Sequence, residues 1–195
     1  MTAPAAPAPL WWRLRRAVDA ALHPLRRRRA AARLRQLGLP RSVIFVCHGN
    51  ICRSPYAAAA FCRRLSPSLQ ALIRVDSAGF IGPGRSPPPF ARAVAALRGV
   101  DLAAHRSKLL TPAVGAAGEL VVVMEPRQAR VLGKLCRRNG GTLVVLGDFD
   151  PGPITTRAIP DPIGQPEAAF HESYTRIDRC LDGLLRAMGS EPLPR

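Results

Sequence analysis

Residues 46–55 read Val46-Cys47-His48-Gly49-Asn50-Ile51-Cys52-Arg53-Ser54-Pro55. They follow a run of strand character, Ser42-Val43-Ile44-Phe45-Val46, and lead into a helical pattern from Pro55 to Leu65. Five residues separate Cys47 from Arg53, which lets the backbone curl around one oxyanion with successive N–H groups pointing inward. Cys47 supplies a nucleophile, Arg53 a planar two-pronged donor, and the start of the helix the positive end of a dipole. Gly49 and Asn50 tolerate the positive φ that such a curl calls for. Pro55 suits a first helical turn, where no N–H is required.

Outward from this loop, strand-like and helix-like segments alternate. Residues 42–47, 72–76, 119–124 and 142–146 read as strands, and residues 55–66, 88–98, 126–138 and 166–188 as helices. The continuous apolar run Leu120-Val121-Val122-Val123-Met124 suits a strand covered on both faces. The alternation predicts a three-layer α/β/α fold over a four-stranded parallel sheet, with the loop at the carboxyl end of the first strand.

Residues 1–40 stand apart from the domain expected over residues 41–190, with a short tail at 191–195. Residues 1–9 are rich in proline and alanine and are expected to be disordered. Residues 10–37 read as a basic helix with Leu14, Val18, Leu22 and Leu25 at helical steps, interrupted or kinked at Pro24. Gly38-Leu39-Pro40 ends it. The chain has a net charge of +16, and residues 1–41 hold ten arginines against one acid, Asp19. Such a field draws in phosphorylated substrates. With 5% aromatic residues and no zinc-finger spacing, no nucleic-acid partner is expected. Trp11 and Trp12 beside the arginines suggest a helix lying on an anionic membrane surface, against the alternative of leucines packed on the domain or on a partner. Five cysteines and the absence of a secretory pattern place the chain in the cytoplasm, peripheral at the inner membrane surface if the helix anchors it.

The decapeptide resembles the phosphate-binding loop of the low-molecular-weight protein-tyrosine phosphatases, V-C-x-G-N-x-C-R-S-P. Further resemblances follow in the family's order: Asp76-Ser77-Ala78-Gly79, His105-Arg106-Ser107-Lys108, Val122-Val123-Met124-Glu125 and Ile159-Pro160-Asp161-Pro162. The resemblance implies a phosphatase I-like fold and hydrolysis of phosphotyrosine, or of another phosphate monoester, through a phosphocysteine. Cys47 is the implied nucleophile, Arg53 the phosphate clamp and Asp161 the general acid and base, roughly 115 residues downstream. His48, Gly49, Asn50, Ile51, Cys52 and Ser54 complete the loop, and the same resemblance implies that Ser54 donates to the sulfur and Asn50 fixes the loop's shape. The loop N–H groups, the helix dipole and Arg53 favour the thiolate at Cys47. No cofactor or metal is implied, since His48 and both loop cysteines are committed and no Cys-x-x-Cys pair exists.

Cys52 reads as a packing residue or, as the preferred reading, a reversible redox partner for Cys47, and Cys62, Cys136 and Cys180 as small core residues. His105 and His171 read as structural and His48 as a rim residue. Relatives that prefer phosphotyrosine place aromatic residues after Asp-Pro, whereas this chain continues Ile163-Gly164-Gln165. Phe80 and Phe90 are the candidate substitutes. Phosphoarginine hydrolysis is one rival, countered by Ile51 where phosphoarginine relatives carry threonine. Arsenate reduction is another, countered by the absence of a cysteine pair between Cys62 and Cys136. A non-catalytic phosphate-binding adaptor is the third; it would need neither nucleophile nor acid.

Overall fold

β1 (Ser42–Cys47) is buried along its whole length and pairs on both sides, as its apolar run requires. In this computed structural model, residues 10–112, 115, 118–138 and 141–190 are described, with the backbone alone for Trp12 and residues 134–138. β2 (Arg74–Gly79), β3 (Leu120–Val123) and β4 (Thr142–Val145) complete a four-stranded sheet of order β2-β1-β3-β4, with every pair parallel. Alternate residues of each strand enter opposite layers. Val43, Phe45, Leu120 and Val122 join one core with α2 (Arg53–Arg64), α4 (Pro89–Ala96), α6 (Glu167–Ala187) and the C-terminal half of α1 (Leu10–Leu37). Ile44, Val46, Val121 and Val123 face α5 (Pro126–Arg138) through Leu132. The fold is therefore the expected three-layer α/β/α arrangement.

Several boundaries differ from the sequence reading. The strand expected at 72–76 runs from Arg74 to Gly79, because a short helix, α3 (Pro67–Leu72), precedes it. Ser66 caps α3, its hydroxyl accepting from Leu69 N at 3.4 Å, and Pro67 opens its first turn. A six-residue helix is too short to show a hydrophobic period. β2 extends to Gly79 because it pairs in register with β1 as far as Cys47. A 3-10 turn, Leu146–Phe149, follows β4.

Pro24 does not interrupt α1, which runs from Leu10 to Leu37. Pro24 and Ala20 are both exposed, so the carbonyl deprived of its N–H partner faces water. Only the C-terminal half is sunk into the domain: Ala30 and Leu34 are buried, and His23 donates from Nε2 to Asp150 O at 2.9 Å. Leu14, Val18, Leu22 and Leu25 are exposed rather than packed on the domain. Cys180 is buried as expected, whereas Cys62 is only half-buried. The tail at 1–9, the tail at 191–195 and the Cys136 side chain lie outside the described residues.

Candidate active site

Cys47 ends β1, Arg53 opens α2, and the five residues between them carry the chain from strand to helix. Asn50 N–H donates to Cys47 Sγ at 3.2 Å, and Ser54 Oγ lies 3.1 Å from the same sulfur. Asn50 Nδ2 donates to Ser54 Oγ at 2.9 Å, so the hydroxyl hydrogen is shared between the sulfur and the more distant Ala78 O at 3.5 Å. Among the described residues, the N–H groups of Gly49, Ile51 and Cys52 meet no acceptor. Orphan donors beside a helix N-terminus form a cradle for an anion.

Asn50 holds the cradle's shape. Its φ of 51° is the only positive φ of a non-glycine residue among those described. Each polar atom of its side chain is used: Nδ2 also donates to Ser77 Oγ at 2.9 Å, and Oδ1 accepts from Lys108 N at 2.8 Å. Asn50 O accepts from His105 Nε2 at 2.8 Å, so that ring nitrogen carries the hydrogen. Burial, the largest cause, holds the His105 pKa below its usual value and favours the neutral ring that this bond uses. The motifs at 76–79 and 105–108 thus acquire physical tasks. Gly79 is one of them, since a Cβ there would lie 2.8 Å from Asn50 N and 2.9 Å from His48 O.

Asn50→Gly is expected to cost roughly 1–3 kcal/mol by deleting the side-chain bonds while keeping the backbone shape. Asn50→Ala loses the same bonds and is left in a left-handed conformation, for about 1 kcal/mol more. Denaturant unfolding checks the order; an alanine variant as stable as the glycine variant would refute the backbone argument.

Arg53 is 1% exposed and its guanidinium is divided between two acids. Nη1 donates to Glu125 Oε1 at 2.8 Å and to Ile159 O at 3.0 Å, while Nη2 donates to Asp161 Oδ2. Nε is buried with no partner among the described residues. Glu125 is itself fixed by Gln128, whose Oε1 accepts from the N–H groups of Met124 and Glu125 at 2.9 and 3.0 Å. Asp161 is presented by a loop held at both ends. Ile159 N donates to Met124 O at 2.9 Å, Ser173 Oγ to Pro160 O at 3.1 Å, and Ile163 N to Asp161 Oδ1 at 3.3 Å. Upstream, Arg157 forks onto Asp148 at 2.8 and 2.7 Å, and Arg176 Nη1 donates to Ala158 O at 2.7 Å.

The structure brings Cys47, His48, Gly49, Ile51, Cys52 and Asp161 to one cleft, which Ile81, Arg85 and Ile163 complete. Arg53, Asn50 and Ser54 are buried behind its wall. Phe80 and Phe90 do not replace the missing aromatics. Phe80 packs beneath the sheet with Val46 and Leu132, and Phe90 meets Phe170 edge-on at 6.0 Å. The wall is aliphatic instead.

Glu125 and Arg85 were not recognised as site residues in the sequence. Arg85 reaches across to donate from Nη2 to Gly49 O at 2.9 Å and from Nε to Gly82 O at 2.9 Å. Its signal was weak, one arginine among 27. Cys52 is a buried free thiol pushed up to about 12, by burial first and then by the neighbouring Asp161 and Cys47 charges. It is protonated at neutral pH.

Donors that converge on one thiol, with a buried arginine fork beside it, define an oxyanion site at the carboxyl edge of a parallel α/β sheet. Residues 42–193 match the family described as low molecular weight phosphotyrosine protein phosphatase. The chain is 30% identical over 151 residues to the low molecular weight protein-tyrosine-phosphatase Wzb of Salmonella typhimurium, covering 76% of this chain and 95% of that protein. Among solved structures, Vibrio vulnificus Wzb in complex with benzylphosphonate superposes with a TM-score of 0.64 at 28% identity, covering 75% of this chain and 98% of that one. The YwlE arginine phosphatase from Geobacillus stearothermophilus gives 0.65 at 28% identity, covering 75% and 92%. The chain belongs to the low molecular weight phosphotyrosine protein phosphatase family. It is a phosphatase.

Proposed function

We propose that the cleft hydrolyses phosphotyrosine in proteins, or a small aryl phosphate, through a phosphocysteine on Cys47. The observation that carries the reading is the Arg53 fork, whose Nε is unpartnered and whose Nη2 is held by Asp161. A phosphoryl group entering the loop takes that edge of the guanidinium, while Glu125 keeps its hold on Nη1. Asp161 leaves the guanidinium, takes up a proton from solvent and turns toward the leaving oxygen.

In the first step the Cys47 thiolate attacks phosphorus and the P–O bond to the tyrosine breaks. Its electron pair goes to the phenolic oxygen, which takes a proton from Asp161. In the second step Asp161, now a carboxylate, accepts a proton from water as the water oxygen attacks phosphorus. The S–P bond breaks and the thiolate is restored. Hydrogen bonds from Asn50 N–H and Ser54 Oγ steady the charge on sulfur at both ends of the cycle.

The aliphatic wall of Ile51, Ile81 and Ile163 supports an aromatic ring as the group beyond the phosphate, and the Vibrio relative is bound to benzylphosphonate, a ring one carbon from phosphorus. The Geobacillus neighbour is named for arginine, so phosphoarginine is the second reading; the isoleucines offer no partner for a guanidinium. The working compartment proposed is the cytoplasm, where the loop thiols stay reduced.

Hydrolysis of phosphotyrosine, phosphoarginine and phosphoserine peptides, with acid quenching to trap label on Cys47, tests the reading. Phosphotyrosine is expected to turn over fastest, with trapped label. Faster phosphoarginine turnover would overturn the substrate assignment alone, and no trapped label would overturn the mechanism.

A further inference from the structure

We propose that the N-terminal half of α1 docks on an anionic membrane surface through an apolar stripe turned away from the phosphatase domain. The helix has two apolar faces, and they point in different directions. At about 100° per residue, Leu10, Leu14, Val18, Leu22 and Leu25 fall within an arc of about 120°; Trp11 shares that arc but also lines a cavity with Thr155 and Thr156 of the domain. These apolar residues are 41–70% exposed. Ala30 and Leu34 lie about 140° and 180° away from the centre of that arc on the same winding, and they are the residues sunk into the core. His23 lies on that second face, bonds to Asp150 O and pins the helix to the loop that leads toward Asp161. One helix therefore serves two surfaces. The domain buries side chains only on the second.

Charge decides what the first face meets. On the same winding Arg13 and Arg28 lie at or beyond one edge of the stripe and Arg15 beyond the other, while Arg29 continues the stripe's own face past Leu25, all of them exposed. Asp19, the one acid within residues 1–41, is turned from the stripe and paired with Arg26 at 2.7 Å. An apolar strip about 22 Å long between arginine borders matches the boundary of an anionic bilayer, where the side chains enter the acyl edge and the guanidinium groups reach phosphates. A second copy fits poorly, because two such faces would set arginine borders against each other.

Trp11 and Trp12 are the chain's two tryptophans, so intrinsic fluorescence reports on this end of the helix. The full chain is to be titrated with vesicles of phosphatidylcholine alone and of phosphatidylcholine mixed with phosphatidylglycerol. The expected result is a blue shift and co-flotation with the mixed vesicles only, weakened by salt. L14E/V18E is expected to bind about tenfold or more weakly, since both side chains enter the apolar layer. Both positions are exposed, so the variant's hydrolysis of 4-nitrophenyl phosphate should match wild type. Equal vesicle binding by variant and wild type would mean that charge alone attracts the chain and would overturn the docking stripe. So would a failure to float with either vesicle, including the case of a dimer that L14E/V18E dissociates.

Discussion

Cys47→Ser is expected to lower turnover of phosphotyrosine by at least about 10³-fold, a loss on the order of 4 kcal/mol in transition-state stabilisation, while inorganic phosphate still binds. The serine hydroxyl inherits the position at the end of β1 but not the chemistry, because it is not ionised at neutral pH and the step needs an anion at that atom. The donors of the cradle are untouched, since they come from backbone N–H groups, Ser54 and Arg53. Binding and turnover therefore separate in this variant. Cys52→Ser is the control. Burial keeps the Cys52 thiol protonated, so its removal should leave kcat within a few-fold of wild type. Steady-state kinetics with phosphate competition checks both. A Cys47→Ser enzyme with near-normal kcat would exclude the phosphocysteine route.

Asp161→Asn is expected to slow phosphotyrosine hydrolysis by about 10²- to 10⁴-fold, and 4-nitrophenyl phosphate much less. A tyrosine oxygen, with a pKa near 10, leaves poorly without a proton, whereas 4-nitrophenolate leaves without one. The asparagine keeps the shape and can still accept from Arg53 through its carbonyl oxygen, so the comparison isolates the proton. A second effect follows from the ion pair. In the wild type, Asp161 occupies Arg53 Nη2, the donor that phosphate must claim. Removing the carboxylate's charge weakens that competitor, and the inhibition constant for phosphate should fall several-fold. Equal slowing of both substrates would assign Asp161 to positioning Arg53 rather than to proton transfer.

The fold and the chemical identity of the site were legible because their signals are local. The decapeptide is one strand end, one loop and one helix start, so Cys47, Asn50, Arg53 and Ser54 approach each other through neighbouring backbone. β1 was readable to the residue because its six side chains are all buried and its apolar run is unbroken. β2 was displaced because its length comes from pairing with β1, not from its own composition. The leucines of α1 carried a clear helical period, yet a period states which residues share a face and not what that face meets.

Backbone sequence thus placed a cysteine and an arginine fork around one anion cradle in a parallel α/β fold. Only the tertiary structure settled how that cradle is governed. Glu125 and Asp161 divide Arg53 across 72 and 108 residues of chain, and Ile81, Arg85 and Ile163 supply the cleft wall. The His23 bond to Asp150 spans 127 residues and leaves the first leucines of α1 facing outward. The physical reason is common to all of these. A contact made by winding is written in neighbouring residues, whereas a contact made by parallel crossovers depends on where whole layers come to rest.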